Sequence, residues 1–179
     1  MFIDALKTLG QAATAVQWLV VPRHPQRFDE VENLLGKAGF AVSRRSQWEQ
    51  MPPRQSGAIW LGDSLGEMPL YYGLASVALM GGSFAPLGGQ NLIEALACDC
   101  PVILGPHTFN FSQASEQALL AGAALGVQDM EAGLGQALDL VAKPDHLQAA
   151  VQSCRQMVQG NRGAAAATAE AIQALMIAP

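Results

Sequence analysis

The sequence predicts an α/β fold: a Rossmann-like, open, mostly parallel sheet with helices on both faces. Short apolar segments rich in β-branched residues alternate along the chain with longer segments of helical apolar periodicity. Glycine and proline mark nearly every junction between them. With 179 residues, 50% of them hydrophobic, the chain fits one globular domain, 1–179, that can bury a core.

The first quarter of the chain contains two predicted helices, each followed by a strand. Apolar residues at helical spacing predict a helix over 3–13, and the apolar run WLVVP at 18–22 predicts a strand. Segment 25–40 opens with proline, has acidic residues in its first turn and closes at Gly39, so it reads as a helix. FAVSRRS at 40–46 is a predicted strand.

The middle of the chain contains three apolar strands, each bounded by turn residues. AIWLGD at 58–63, VALMGG at 77–82 and PVILGP at 101–106 are short and end at glycine, as buried parallel strands do. The segments between them, 65–76 and 91–99, carry helical periodicity and predict the connecting helices.

The last third continues the alternation. A helix is predicted over 110–123, a strand over 124–129 and a helix over 130–143. Pro144 interrupts the pattern, and an Ala- and Gln-rich helical tail is expected to run to Met176.

Charge and cysteine content narrow the function classes. Fifteen acidic against ten basic residues give a net charge of −5, which disfavours nucleic acid and anionic membranes as partners. Cys98, Cys100 and Cys154 form no paired framework, and neither they nor the three histidines have metal-ligand spacing. Residues 68–93 carry no charge, but their many glycines and polar residues exclude a membrane span.

In open parallel sheets ligands bind at the carboxyl ends of the strands, so four strand-to-helix loops are the candidate site. They are the first loop at 22–27, the second loop at 62–67, the glycine loop at 81–91 and the fourth loop at 105–111. The glycine loop lacks the P-loop and GxGxxG patterns. Its glycine backbone N–H groups, directly before the N-terminus of a helix, nevertheless predict a phosphate-binding site. Because no Lys or Arg occurs between Arg54 and Lys143, a single phosphate is favoured over a polyphosphate.

Three acidic residues near these loops have competing interpretations. Asn91 and Glu94 match a capping box, yet a carboxylate one turn into such a helix could equally bind a ribose diol. For Asp63 and Glu67, a structural role at the start of a helix is favoured over a catalytic carboxylate pair. His24 and His107 are expected to have no catalytic role, since lone loop histidines rarely have one.

Taken together, four segments resemble the carboxyl-terminal half of the bacterial lipid A Kdo transferases. In order, they are VPRHPQRF from Val21, LGDSLGEMPLYYGLAS from Leu61, GGSFAPLGGQNLIEALA from Gly81 and PVILGPHTFNF from Pro101. The resemblance covers nearly the whole chain. It implies the second domain of a GT-B glycosyltransferase, which binds the donor CMP-Kdo, the cytidine monophosphate ester of 3-deoxy-D-manno-octulosonic acid, and needs no bound metal or cofactor.

The resemblance also implies roles for individual residues. Arg23 would contact the donor, and Asn91 and Glu94 would anchor its ribose. The second loop and the residue after it would line the nucleotide, and the glycine loop would offer groups to the phosphate or sugar; the residues concerned are Gly62, Gly66, Glu67 and Met68, then Gly82 and Ser83. The family commonly has histidine where Gln90 stands, so no role is carried over to that position.

The same resemblance implies that an amino-terminal domain is missing from this chain. In the family that domain carries the membrane anchor, the site for the lipid A precursor and the catalytic glutamate, so we expect no catalytic residue here and no transfer by this chain alone. The whole protein is expected at the cytoplasmic face of the inner membrane, and the fragment is expected to be soluble. Two alternatives remain at this point: a GT-B donor domain for a UDP- or GDP-sugar, and a non-catalytic Rossmann-like interaction module.

Overall fold

The computed structural model describes residues 1–48 and 57–160. The predicted alternation of helices and strands is confirmed within them. The helices are α1 Phe2–Leu9, α2 Phe28–Lys37, α3 Met68–Leu74, α4 Ile93–Ala97, α5 Ser112–Ala121, α6 Met130–Ala142 and α7 Pro144–Gly160. The strands are β1 Leu19–Val20, β2 Val42–Arg44, β3 Ile59–Leu61, β4 Ala78–Leu79, β5 Val102–Leu104 and β6 Ala124–Gly126. The predicted helical tail from residue 161 to Met176 lies outside the described residues.

All strand pairs are parallel, as predicted, but hydrogen bonding arranges the strands in two sheets. One sheet has the order β1-β3-β2 and the other the order β4-β5-β6. Register pairs Val20 with Leu61 in the first sheet and Leu79 with Ile103 in the second. The carboxyl ends of the strands within each sheet therefore share one edge.

Helices cover both faces of the second sheet. Val102 and Leu104 of β5 pack into a cluster that contains Leu96 of α4, Ala118 of α5 and Cys154 of α7. Ile103, between them in sequence, points to the opposite face and packs with Ala137 of α6. Alternate residues of a strand point to opposite faces, so this one buried strand supports two apolar layers.

A third apolar cluster joins the two sheets. Ile59 of β3 and Val20 of β1 pack with Leu6 of α1, Leu134 of α6 and Leu79 of β4. The first helix thus packs against α6 from the far end of the chain, and the two sheets share a core without sharing hydrogen bonds.

Most observed elements are shorter than predicted, and three of the differences at the ligand edge bear on the site. The strand predicted over 40–46 ends at Arg44, where a 3₁₀ turn begins at Arg45. The helix predicted from 65 begins at Met68, because Gly66 has a φ of 77°, which no α-helix contains. The helix predicted from Asn91 begins at Ile93.

Helix ends elsewhere follow the expected chemistry. The Asp129 carboxylate accepts the backbone N–H of Ala132 at 2.8 Å and caps α6. Pro144 is the first residue of α7, where its missing N–H costs nothing. Within the residues described above, no helix combines the length and apolar character needed to cross a bilayer.

Candidate functional site

The glycine loop is fastened to the fourth loop by Ser83. Its side chain is fully buried: the hydroxyl donates to the Met80 carbonyl at 2.6 Å and accepts the Gly105 N–H at 2.7 Å. The Ser83 carbonyl accepts the His107 N–H at 3.0 Å. The Ser83 hydroxyl therefore already has two protein partners, so Ser83 can offer a donor its backbone but not a free hydroxyl in this conformation.

Gly105 is required by this junction. A Cβ on Gly105 would lie 2.5 Å from the Ser83 carbonyl oxygen, a backbone atom that cannot rotate away. We predict that Gly105→Ala lowers the free energy of unfolding by about 1–3 kcal/mol, as overpacking does. Urea unfolding measures this, with Gly81→Ala as control because a Cβ there has nothing within 4 Å. Equal free energies of unfolding for the two variants would contradict the close contact between Gly105 and the Ser83 backbone.

Gly82 is half-buried, and both of its backbone polar groups are bonded within the glycine loop. The N–H donates to the Gln90 side-chain oxygen at 3.3 Å, a long hydrogen bond, and the Gly82 carbonyl accepts the Gly89 N–H at 3.2 Å. The loop is thus closed on itself, with Gln90 placed where a ligand oxygen would take the Gly82 N–H.

Asn91 and Glu94 are exposed, and their side chains are hydrogen-bonded to each other. The Asn91 side-chain amide donates to a Glu94 carboxylate oxygen at 3.0 Å, and its own oxygen accepts the Ile93 N–H at 3.2 Å. The predicted capping box is wrong, because the Glu94 carboxylate bonds the Asn91 side chain and α4 begins only at Ile93. Helices α3 and α4 pack against each other. Burial raises the pKa of Tyr72 on α3 to about 12, with a smaller contribution from the Glu94 charge.

The second loop is organised around Glu67. One carboxylate oxygen accepts the Arg45 guanidinium at 2.8 Å, and the other accepts the Ser64 hydroxyl and, at 3.3 Å, the Tyr71 hydroxyl. The Ser64 hydrogen bond and the Arg45 charge together lower the pKa of Glu67, so it is ionised. Gly62 lies under the Tyr71 ring, and a Cβ on it would approach that ring to 2.9 Å.

Asp63 is a buried structural carboxylate. Its side chain is 1% exposed and accepts Arg44 Nε at 2.6 Å, the Ser46 N–H at 2.8 Å and the Ser46 hydroxyl at 2.6 Å. Arg44 also binds Asp29 at 2.7 Å and Glu32 at 3.1 Å on α2. The structural interpretation of Asp63 is correct, but its partners come from the end of β2 and not from a helix N-terminus.

Asp63 makes the fold sensitive to acid. Burial by itself raises the pKa of this carboxyl, but the hydrogen bonds from Ser46 and Arg44 outweigh it, and the pKa is lowered in the folded chain. A lowered folded pKa stabilises the fold fully above the unfolded value of about 4, and this stability is lost as pH falls below it. Urea unfolding between about pH 6 and 3 should therefore give Asp63→Asn a flatter pH profile than the unaltered chain. Parallel profiles would contradict this assignment.

The remaining site predictions have the following positions. Arg23 is exposed in the first loop, directly after β1, and Gly66 is exposed in the second loop. Met68 is the half-buried first residue of α3. Their contact with a donor stays a prediction. In the part of the chain that the structure describes, no three His, Cys, Asp or Glu side chains are placed to hold one metal ion.

Sequence reasoning missed Arg44 and Arg45. The second loop contains no Lys or Arg of its own, as the sequence showed, but both guanidinium groups reach it from the end of β2. The signal was present: two arginines at the carboxyl end of a predicted parallel strand must emerge at the same edge as the loops.

Comparisons with known proteins found a relative that aligns with nearly the whole chain. No family model matches the chain. It is 48% identical over 176 residues to 3-deoxy-D-manno-octulosonic acid transferase of Bordetella pertussis, covering 97% of this chain and 41% of that protein. The Haemophilus influenzae enzyme of the same name is 48% identical over 95 residues, 53% of this chain and 22% of that protein. The chain thus spans less than half the length of these relatives.

A solved structure covers nearly the whole fold. The C-terminal CMP-Kdo binding domain of WaaA from Acinetobacter baumannii superposes with a TM-score of 0.79 at 30% identity, over 88% of this chain and 81% of that one. This match confirms the α/β, Rossmann-like class. The chain belongs to the 3-deoxy-D-manno-octulosonic acid transferase family.

Proposed function

We propose that this chain is the donor-binding domain of a Kdo transferase and binds CMP-Kdo through its cytidine monophosphate part. The observation that carries the proposal is common to both sheets: the Gly82 amide and the exposed Glu94 carboxylate follow the carboxyl end of β4, and the second loop follows that of β3. The similarity to a domain described as CMP-Kdo binding supports the choice of donor.

The charges of the loops favour one phosphate. Neither the glycine loop nor the fourth loop contains Lys or Arg. A phosphate there would be met by backbone N–H groups such as that of Gly82, in place of Gln90, and by Arg23 from the first loop. Arg44 and Arg45 are each paired with carboxylates. A diphosphate donor would need more cations than these loops offer.

The proposal extends to the whole protein. It would transfer Kdo to the lipid A precursor at the cytoplasmic face of the inner membrane, with the acceptor site, the membrane association and the catalytic base outside this chain. We expect no transfer by the chain alone, since none of its loops supplies a base beside an acceptor. We also expect CMP binding to be unchanged by EDTA, because no three His, Cys, Asp or Glu side chains among residues 1–48 and 57–160 are placed to hold one metal ion.

A thermal-shift titration tests the proposal. CMP or CMP-Kdo at about a hundred times its dissociation constant should stabilise the chain by roughly 2.7 kcal/mol. UDP, GDP and NAD serve as matched controls. A shift with UDP or GDP in place of CMP would favour another sugar donor, and no shift with any nucleotide would favour an interaction module.

A further inference from the structure

Arg45 lies outside the four loops, yet its guanidinium reaches the second loop. It directly follows β2, whose last residue Arg44 is level with Leu61 of β3. Since β2 and β3 are parallel, the residues after them emerge side by side. Arg45 donates to Glu67 at 2.8 Å, and both side chains are only about a quarter exposed, 28% and 29%.

An aromatic pair supports the Arg45 side chain. Its guanidinium carbon lies 5.8 Å from the centre of the Trp48 ring, within the range of a cation–π contact. Trp48 packs edge-to-face on Trp60 of β3 with ring centres 5.1 Å apart, and its indole N–H donates to the Ser43 hydroxyl at 2.8 Å. Arg45 is therefore held by β2 and β3 and has little freedom to leave Glu67.

Glu67 connects Arg45 to other residues in and next to the second loop. Besides Arg45, its carboxylate accepts the Ser64 hydroxyl and the Tyr71 hydroxyl. The Tyr71 ring covers Gly62 at the other end of the loop. The three donors occupy both carboxylate oxygens, so the Glu67 side chain is fully bonded within the protein. The second loop can then offer a nucleotide its backbone groups.

We propose that Arg45 is a positioning residue: by binding Glu67 it holds the second loop, from Gly62 to Met68, in the conformation that receives the nucleotide. The inference rests on the proposed function. It assigns Glu67 an indirect role in place of a donor contact. An ordinary surface ion pair contributes little to stability, so the consequence to measure is loop order and affinity.

The test compares Arg45→Met, Arg45→Lys, Glu67→Gln and the double variant Arg45→Met/Glu67→Gln. Amide hydrogen exchange of residues 62–68 reports loop order, calorimetry with CMP reports affinity, and urea unfolding reports stability. Arg155→Met is the matched control. Arg155 lies on α7, away from the loops, and pairs with Asp99 at 2.8 Å.

We expect Arg45→Met to weaken CMP binding about tenfold by loss of preorganisation, with faster exchange confined to residues 62–68. Arg45→Lys should recover part of the affinity. The double variant should bind CMP no worse than either single variant, since both remove one interaction. Arg155→Met should match the unaltered chain in exchange and affinity.

Two results overturn the inference separately from the proposed function. If the unaltered chain binds CMP and Arg45→Met binds it within about twofold, or if the two single losses add up, the positioning role is wrong while the donor site stands. If the unaltered chain binds neither CMP nor CMP-Kdo, the proposed function fails and the positioning role with it.

Discussion

Arg44→Met is expected to lower the free energy of unfolding by about 3–5 kcal/mol, the usual cost of removing one partner of a buried ion pair. The Asp63 carboxylate beside Arg44 is 1% exposed, so without the guanidinium it is a buried charge held only by Ser46. Methionine keeps the apolar stem of Arg44, which limits the change to the charge and its hydrogen bonds. Urea unfolding at neutral pH measures the loss.

Two further variants make this prediction specific. Arg27→Met breaks an exposed pair with Glu30, whose side chains are 54% and 55% exposed, and should cost no more than about 0.5 kcal/mol. Adding Asp63→Asn to Arg44→Met removes the uncompensated charge and should restore part of the stability. A loss below about 1 kcal/mol for Arg44→Met would mean that Asp63 does not depend on its cation.

Glu94→Ala is expected to weaken CMP binding by about 10- to 100-fold, because hydrogen bonds to a charged acceptor contribute roughly 1.5–3 kcal/mol. The free energy of unfolding should change by less than about 1 kcal/mol, since Glu94 is exposed and bonds only the Asn91 side chain among the contacts at this turn. Calorimetry with CMP and urea unfolding are measured on the same preparation.

The control for Glu94 is Glu116→Ala on α5, an exposed glutamate on a helix that does not follow the glycine loop. It should leave both affinity and stability unchanged. If Glu94→Ala instead lowers stability and leaves CMP affinity unchanged, Glu94 serves the start of α4 and does not bind the ribose.

Local sequence patterns were sufficient to predict the fold class. The apolar run at 101–106, bounded by proline and glycine, predicted a buried parallel strand, and residues 102–104 do serve two apolar layers. Glycines at the ends of strands located the loops. These signals are local, because side-chain periodicity and backbone freedom act within a few residues.

Contacts between distant segments could not be predicted in this way. Arg44 and Asp63 are 19 residues apart and meet only because β2 pairs with β3. Two start positions also failed for local reasons: the left-handed Gly66 delays α3, and Asn91 turns its side chain onto Ile93 ahead of α4. The division into two sheets depends on which strands pair, and the hydrophobic periodicity of the sequence carries no information about strand pairing.

The four loops and their arginine supports together describe one nucleotide site with separate tasks. Buried Ser83 joins the glycine loop to the fourth loop, and Arg45 fixes the second loop through Glu67. Arg23 and Glu94 are exposed, and the half-buried Gly82 amide has only a long hydrogen bond to Gln90, so we expect these three groups to meet a ligand. Rigid supports around a few free polar groups are typical of a preorganised binding site.

Mapping of amide chemical shifts during a CMP titration tests this account most directly. We expect saturable chemical-shift changes in the second loop, the glycine loop and the start of α4, together with Arg23. We expect no shift change around Thr14 and Phe40, at the opposite end of the first sheet. Changes centred on that opposite end, or no change with either CMP or CMP-Kdo, would contradict a donor site at the carboxyl edge.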